Sequence, residues 1–243
     1  AEKLKQLGEE NPNIYQDTDG LDYEAISDSN PDVILAAYSG LTQEEYDTLS
    51  EIAPVVAYPT TPWVITWRDQ ILYNAKAMGM EAEGKQLVAD TEKLIQDKAN
   101  EFPGIKGKKA AFGMFNATDL SKFYIYTTVD PRGELLEELG MEYPEGIKAQ
   151  IQDDSSFYIE LSAENADALN DTEIIIAYGD DSTLKTLQAD PILGKVPAIQ
   201  NGTVLIIPDN TPLAAAGNPN PLSIEYTIDE YVTLIADVAK KLK

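Results

Sequence analysis

Six short runs rich in apolar and β-branched residues punctuate this chain, each bounded by Gly, Pro, Asn or Asp: Asp32 to Ala37, Val55 to Tyr58, Lys109 to Phe115, Phe123 to Tyr126, Glu173 to Tyr178 and Thr203 to Ile207. Runs of this length with turn residues at their ends read as buried strands of a mostly parallel sheet. Helical patterns lie between them, and the alternation specifies an α/β chain. Thr42 to Ile52 opens on a Thr at the N-cap position with Glu44 and Glu45 in the first turn. Ser162 to Leu169 opens the same way, with Ser162 as cap and Glu164 at the positive end of the helix. The longest helical stretch, Trp67 to Asn100, is expected to break around Gly79-Met80 and Gly84. Its second part, Glu81 to Asn100, carries Leu87, Thr91, Leu94, Ile95 and Ala99 at helical spacing. A last helix over Ile224 to Leu242 presents Tyr231, Leu234, Ile235 and Val238 on one face.

Composition excludes several function classes. At 243 residues the chain has room for one or two domains with a real core. Its longest charge-free stretch, Ile52 to Trp67, is 16 residues with three prolines, too short and too broken to span a bilayer. A net charge of −24 repels phosphate backbones and anionic lipid surfaces, so nucleic acid is not an expected partner. With no histidine and no cysteine there is no thiolate or imidazole metal site, no disulfide, and neither Ser-His-Asp nor Cys-His catalysis. Absence of cysteine fits a secreted protein or a trimmed lipoprotein, and equally a cytosolic one. Ala1 opens directly into a charged stretch, so any targeting segment is expected to have been removed.

Phe102-Pro103-Gly104 ends the long helix and GIKGKK leads into a new strand, which sets an expected boundary there. Leu21 to Tyr38 also overlays Leu161 to Tyr178 without a gap, with identities at Leu21/Leu161, Glu24/Glu164, Ile34/Ile174, Ala37/Ala177 and Tyr38/Tyr178. Any capped helix–turn–strand unit looks similar. The sharper reading is two lobes built on one unit, with Tyr38 and Tyr178 at the carboxyl ends of their strands, where open α/β sheets bind ligands.

The runs EAISDSNPDVILAAYSGLTQEEYDTLSEIAPVVAYP, PWVITWRDQ, ADPILGKVPAIQNGTVLIIPD and NPNPLSIEYTIDEY are spread over nearly the whole chain. They resemble ferric-siderophore solute-binding proteins of ABC importers, within the iron/vitamin B12 binding-protein superfamily. The resemblance implies a two-lobed class III solute-binding fold whose lobes are joined by one long rigid helix. On that expectation residues 1–80 form a partial N-terminal lobe, 81–103 the inter-lobe helix and 104–243 the C-terminal lobe, the last helix returning toward the N-terminal lobe. It also implies that a further strand-helix-strand segment of the N-lobe, and a signal sequence, are missing from this chain. The implied protein is extracytoplasmic, a cell-surface lipoprotein or a periplasmic receptor. It touches the membrane only through a lipid anchor and the permease of its transporter.

A ferric siderophore arrives with its iron already wrapped, so its receptor needs no cofactor and no metal ligand. It needs aromatic walls, fixed cations and hydrogen-bond donors. Only Arg68 and Arg132 are arginines. Arg68, after Trp67, offers a planar fork suited to chelating oxygens, against the alternative of a surface arginine paired to Asp69 or another acidic neighbour. Tyrosine is abundant, 13 residues against 5 Phe. Tyr124 and Tyr126 point to one face of a strand and Phe123 and Ile125 to the other; which pair lines the core is open. Tyr38, Tyr124 and Tyr158 are the candidate wall residues, with Trp67 and with Lys122 beside them. Asn218, and more weakly Asn220, are candidate polar contacts. For each tyrosine, half-burial against a neighbouring helix is the competing account.

In the family resembled, a glutamate on each lobe docks on arginines of the permease. The matching positions are Glu44, or its neighbour Glu45, and Glu164, with Glu24 as the competing choice. A helix-start glutamate that only stabilises its own helix by ~0.3–1 kcal/mol is the other reading. Other iron chelates, haem and cobalamin are alternative ligands. An acidic α/β hydrolase or glycosidase is the alternative of another class, but no G-x-S-x-G elbow, phosphate loop or dinucleotide fingerprint supports it.

Overall fold

A computed structural model of the chain describes residues 2–15, 19–153 and 155–242, apart from the side chains of residues 2, 3 and 216. It divides into two compact units, residues 1–62 and 63–243.

The first unit contains α1 (Glu2–Gln6), α2 (Tyr23–Asp28), β1 (Ile34–Ala36), α3 (Gln43–Ser50) and β2 (Val55–Ala57). The two strands are parallel, with Ile34 level with Val55. Thr42 and Glu45 close a reciprocal cap on α3: the Glu45 amide donates to Thr42 Oγ1 at 3.2 Å and the Thr42 amide to Glu45 Oε2 at 2.8 Å. Asp22 caps α2 through the Ala25 amide.

The second unit begins with α4 (Trp67–Ala77) and α5 (Glu81–Glu101), followed by β3 (Ala110–Phe115), β4 (Lys122–Tyr126), α6 (Pro131–Glu138), α7 (Glu145–Lys148) and β5 (Tyr158–Ser162). It finishes with β6 (Ile174–Gly179), α8 (Thr183–Ala189), α9 (Pro197–Asn201), β7 (Val204–Pro208) and α10 (Pro221–Ala239). Its sheet runs β5-β4-β3-β6-β7. Alternation along the strands splits the core in two. Phe112, Ile174, Ile176 and Ile207 face one side with Trp67, Ile95, Leu135 and Tyr231, while Ala111, Phe123, Ile125 and Ile175 face the other with Ile147, Leu169 and Ile199.

Three expectations are corrected, and one strand is added. The sheet is mixed: β3, β6 and β7 are parallel, but β4 pairs antiparallel with both β3 and β5. The strand β5 had no apolar run to announce it, because only Leu161 of its residues is buried. Residues 163–169 form a 3₁₀ segment instead of an α-helix, and Ser162, still in extended strand backbone, makes no side-chain cap. Gly84 does not break the long helix. It lies inside α5 where a Cβ would come 2.5 Å from Ala75 Cβ, so it lets α4 and α5 pack in close contact. The break falls at Met78 to Met80, where Gly79 takes φ +69°.

Candidate functional site

The aromatic face of the second unit's sheet is assembled by register. Tyr124 stands opposite Met114, and Tyr126 opposite Tyr158. Phe123 and Ile125 are fully buried on the other side, which settles the orientation of β4: its tyrosines leave the core face that its other residues fill. Lys122, Tyr124, Tyr126, Tyr158 and Glu160 therefore share one face. The Tyr124 and Tyr158 rings meet edge to face at 5.7 Å, and Phe157 meets Tyr158 at 4.7 Å. Lys122 Nζ lies 5.6 Å from the Tyr124 ring and bonds Glu160 at 3.1 Å. Tyr124 and Glu160 hold that ammonium above the ordinary lysine value, and Lys122 first, then Tyr124, holds the Glu160 carboxyl below its own.

The same face continues inward. Phe112 contacts Tyr126 at 5.9 Å and Tyr178 at 4.9 Å between ring centroids. Arg132 lies over Tyr126 with its guanidinium carbon 3.7 Å from the ring centroid. Its fork closes on Asp130, Nε to Oδ1 at 2.8 Å and Nη2 to Oδ2 at 2.9 Å, and Asp130 is fully buried. Burial works against the charge on Arg132, but the hydrogen bonds and charge of Asp130 outweigh it and hold the guanidinium above its ordinary value. Burial also raises the Tyr178 phenol, opposed by Arg132. Asp130 caps α6 as well, accepting from the Arg132 amide at 2.8 Å. Gly133 lets that helix start against the chain, since a Cβ there would come 2.2 Å from the Thr127 carbonyl oxygen.

Tyr124, Tyr158 and Lys122 are thus brought together. Arg132, Asp130, Tyr126 and Tyr178 complete the face; the sequence marked Tyr178 at a strand's carboxyl end and paired Tyr126 with Tyr124, but it offered neither Asp130 nor Arg132 as a site residue. Two signals for them existed: the rarity of arginine, and the Asp-Pro-Arg string that reads as a helix start. Asn218 is exposed and follows Gly217, which packs against the Tyr178 hydroxyl. Asn220 has a different task. Its Oδ1 accepts from the Leu222 and Ser223 amides and caps α10.

Trp67 and Arg68 have other partners, although Trp67 shares a core cluster with Phe112. Trp67, expected as a wall, is 1% exposed and belongs to the core, where its indole N–H donates to Glu138 at 3.1 Å. Arg68 stacks over Trp67 at 4.3 Å and is closed by Glu92 at 2.6 Å, Glu134 at 3.4 Å and Glu138. Arg68 is ion-paired to three glutamates and not to Asp69, because α5 and α6 bring their acidic faces to the start of α4. Burial, then the charge of Glu138, push the Glu134 carboxyl up to about 7 against the pull of Arg68.

In the first unit, Tyr38 is half-buried two residues beyond β1. Glu44 is exposed in the first turn of α3, whereas Glu45 is engaged in the cap. Glu164 and Glu24 are each exposed in the first turn of a short helix that precedes a strand, so the sequence echo corresponds to a shared local shape.

Comparison with known proteins places this geometry in context. A structure of PiaA from Streptococcus pneumoniae in complex with ferrichrome superimposes with a TM-score of 0.94 at 53% identity, covering all of this chain and 80% of that one. The ferric enterobactin-binding periplasmic protein FepB of Escherichia coli is 27% identical over 197 residues, 77% of this chain and 60% of that protein. The Fe(3+)-citrate-binding protein YfmC of Bacillus subtilis is 25% identical over 183 residues, 74% of this chain and 55% of that protein. The chain spans between 36% and 62% of the length of the curated relatives it matches. The family model described as periplasmic binding protein matches residues 5–211, most of both units, and the chain belongs to that family.

Proposed function

We propose that this protein captures a ferric siderophore outside the cytoplasm and delivers it to an ABC permease. The observation that carries the reading is the tyrosine face of the second unit, where Tyr124, Tyr158, Tyr126 and Tyr178 run from the open surface to the Arg132–Asp130 pair. Such a face offers flat apolar area with hydroxyl handles and a fixed cation–π pair, which suits a large chelate whose iron is already coordinated. The family is one of substrate-binding transport proteins, and the relatives' names, which speak of ferrichrome, enterobactin and ferric citrate, support a siderophore or related iron chelate as the cargo.

In this reading Tyr124, Tyr158, Lys122 and Asn218 contact the ligand, and Tyr38 of the first unit is a further candidate contact. Glu44 and Glu164, one exposed carboxylate on each unit, dock on the permease. Calorimetric titration of the protein with the ferric complexes of ferrichrome, enterobactin and citrate tests the reading. At least one should bind saturably at sub-micromolar concentration, and its iron-free form more weakly. Absence of binding by all three would overturn it.

A further inference from the structure

We infer that Arg68 and the three glutamates around it form a proton-operated clasp on α6, which sets how firmly Arg132 is held over the tyrosine face and so couples ligand affinity to pH. The inference rests on the siderophore reading and adds a regulation of that site to it.

The helix α6 is eight residues long and is fixed at both ends. At its start Asp130 caps it and closes on Arg132, Arg132 lies over Tyr126 at 3.7 Å, and Gly133 abuts the Thr127 carbonyl. Further along, Glu134 and Glu138 leave the same side of the helix at i, i+4 spacing and meet Arg68 at the start of α4. Glu92 of α5 holds the same guanidinium at 2.6 Å. Trp67 adds a second grip, its indole N–H donating to Glu138 at 3.1 Å. Between the two ends Leu135 and Leu136 are buried in the core beside β3, so so short a helix cannot yield at one end without moving the other. The helix also packs on the 3₁₀ segment Pro212–Gly217, whose Gly217 abuts the Tyr178 hydroxyl. A shift of α6 therefore reaches two rings of the face, Tyr126 and Tyr178.

The clasp holds more carboxylates than cations. With all three ionised, Glu92, Glu134 and Glu138 set three negative charges on one guanidinium, and Asp69 and Glu137 add to the field at Glu134. The cleft beside Arg68, Glu92 and Glu138 carries one further cation, Lys93, which is paired to Asp97. The other elements packed on α6, β3 and Pro212–Gly217, contain no charged residue. Of the three glutamates Glu134 lies farthest from Arg68, at 3.4 Å, and it is the one whose proton relieves the surplus. Burial and Glu138 push its carboxyl up to about 7, in agreement with that position. With the proton on, two carboxylates face one guanidinium and α6 is drawn onto α4. With the proton lost, Glu134 and Glu138 repel one another across one helical turn, and the hold on α6 weakens.

The test is calorimetry on the whole chain at pH 6 and pH 8 with ferrichrome, a probe that has no group titrating between those values. The parent should bind it about fivefold more weakly at pH 8 than at pH 6. By the reciprocity of linked equilibria, binding near pH 7 should draw protons from solution, so the measured heat should change with the ionisation enthalpy of the buffer. Glu134→Gln keeps the shape of the side chain without its titration. It should bind at both pH values as the parent does at pH 6, with heats that do not depend on the buffer. Equal parent affinity at the two pH values, or a pH dependence that Glu134→Gln leaves intact, would overturn the clasp while leaving the siderophore reading in place. Absence of ferrichrome binding at either pH would also overturn the clasp, and the siderophore reading falls with it only if ferric enterobactin and ferric citrate fail to bind as well.

Discussion

Arg132 sits over the ring of Tyr126, its guanidinium carbon 3.7 Å from the centroid, and joins the start of α6 to the aromatic face of the sheet. The arginine is fixed on its other side by Asp130, which has no exposure to water. The pair is a structural unit, and breaking it strands a buried carboxylate. Arg132→Ala should lower the unfolding free energy by about 3–5 kcal/mol in urea denaturation. Adding Asp130→Asn should recover part of that loss, since Asn still caps the helix. Independent, additive losses from the two changes would contradict the pairing.

Tyr124 and Tyr158 stand at the open end of the face and contribute little to the core. Tyr124→Ala and Tyr158→Ala should each weaken the preferred ferric chelate about tenfold, ~1.4 kcal/mol. Thermal unfolding should move little. Unchanged affinity in both variants would remove this end of the face from the site.

Gly217 is required by its contact with Tyr178: a Cβ would lie 1.7 Å from the phenol oxygen. Gly217→Ala should cost about 1–3 kcal/mol of stability and reduce ligand affinity by displacing the ring. The double change with Tyr178→Phe should recover some stability, because the nearest clashing atom is then gone. Chemical denaturation of the two single variants and the double variant measures that coupling.

Glu134 sets a pH dependence. Its folded-state pKa of about 7 lies above the ordinary 4.5, so the folded state holds the proton more tightly than the unfolded chain. The stabilisation is fully present below pH 4.5 and is lost as pH rises through about 7. Glu134→Gln should therefore be more stable than the parent at pH 8 and about equal to it at pH 4.5. Melting temperatures across that range decide it; parallel profiles for the two proteins would show that Glu134 does not titrate there.

Glu44 and Glu164 are exposed, each in the first turn of a helix. Replacing both by Ala should leave melting temperature and ferric-chelate affinity near the parent values while transport through the cognate permease falls sharply, because exposed charges set orientation and on-rate in a complex. Each single change should give a partial effect. Normal transport by the double variant, and then by variants at Glu45 and Glu24, would end the docking proposal.

The sequence alone determined the α/β class, the six apolar strands, the capped start of α3 at Thr42 and the helix break near Gly79, because all of these depend on residues close in the chain. Period, caps and turn residues act over a few positions, and they are written where they act. The antiparallel placement of β4, the edge strand β5 and the partners of the two arginines came only with the tertiary structure. Tyr158 meets Tyr124 across 34 positions of sequence, and Arg68 meets Glu134 and Glu138 across 66 and 70. No local pattern states which carboxylate among so many will reach a given cation. That choice is made by helix packing: Gly84 lets α5 close on α4, and α6 brings Glu134 and Glu138 to Arg68, so the half-buried arginine beside the tryptophan is ion-paired there. The arginine after the Asp-Pro step is delivered to the tyrosines instead, because Gly133 lets its helix begin hard against the Thr127 backbone.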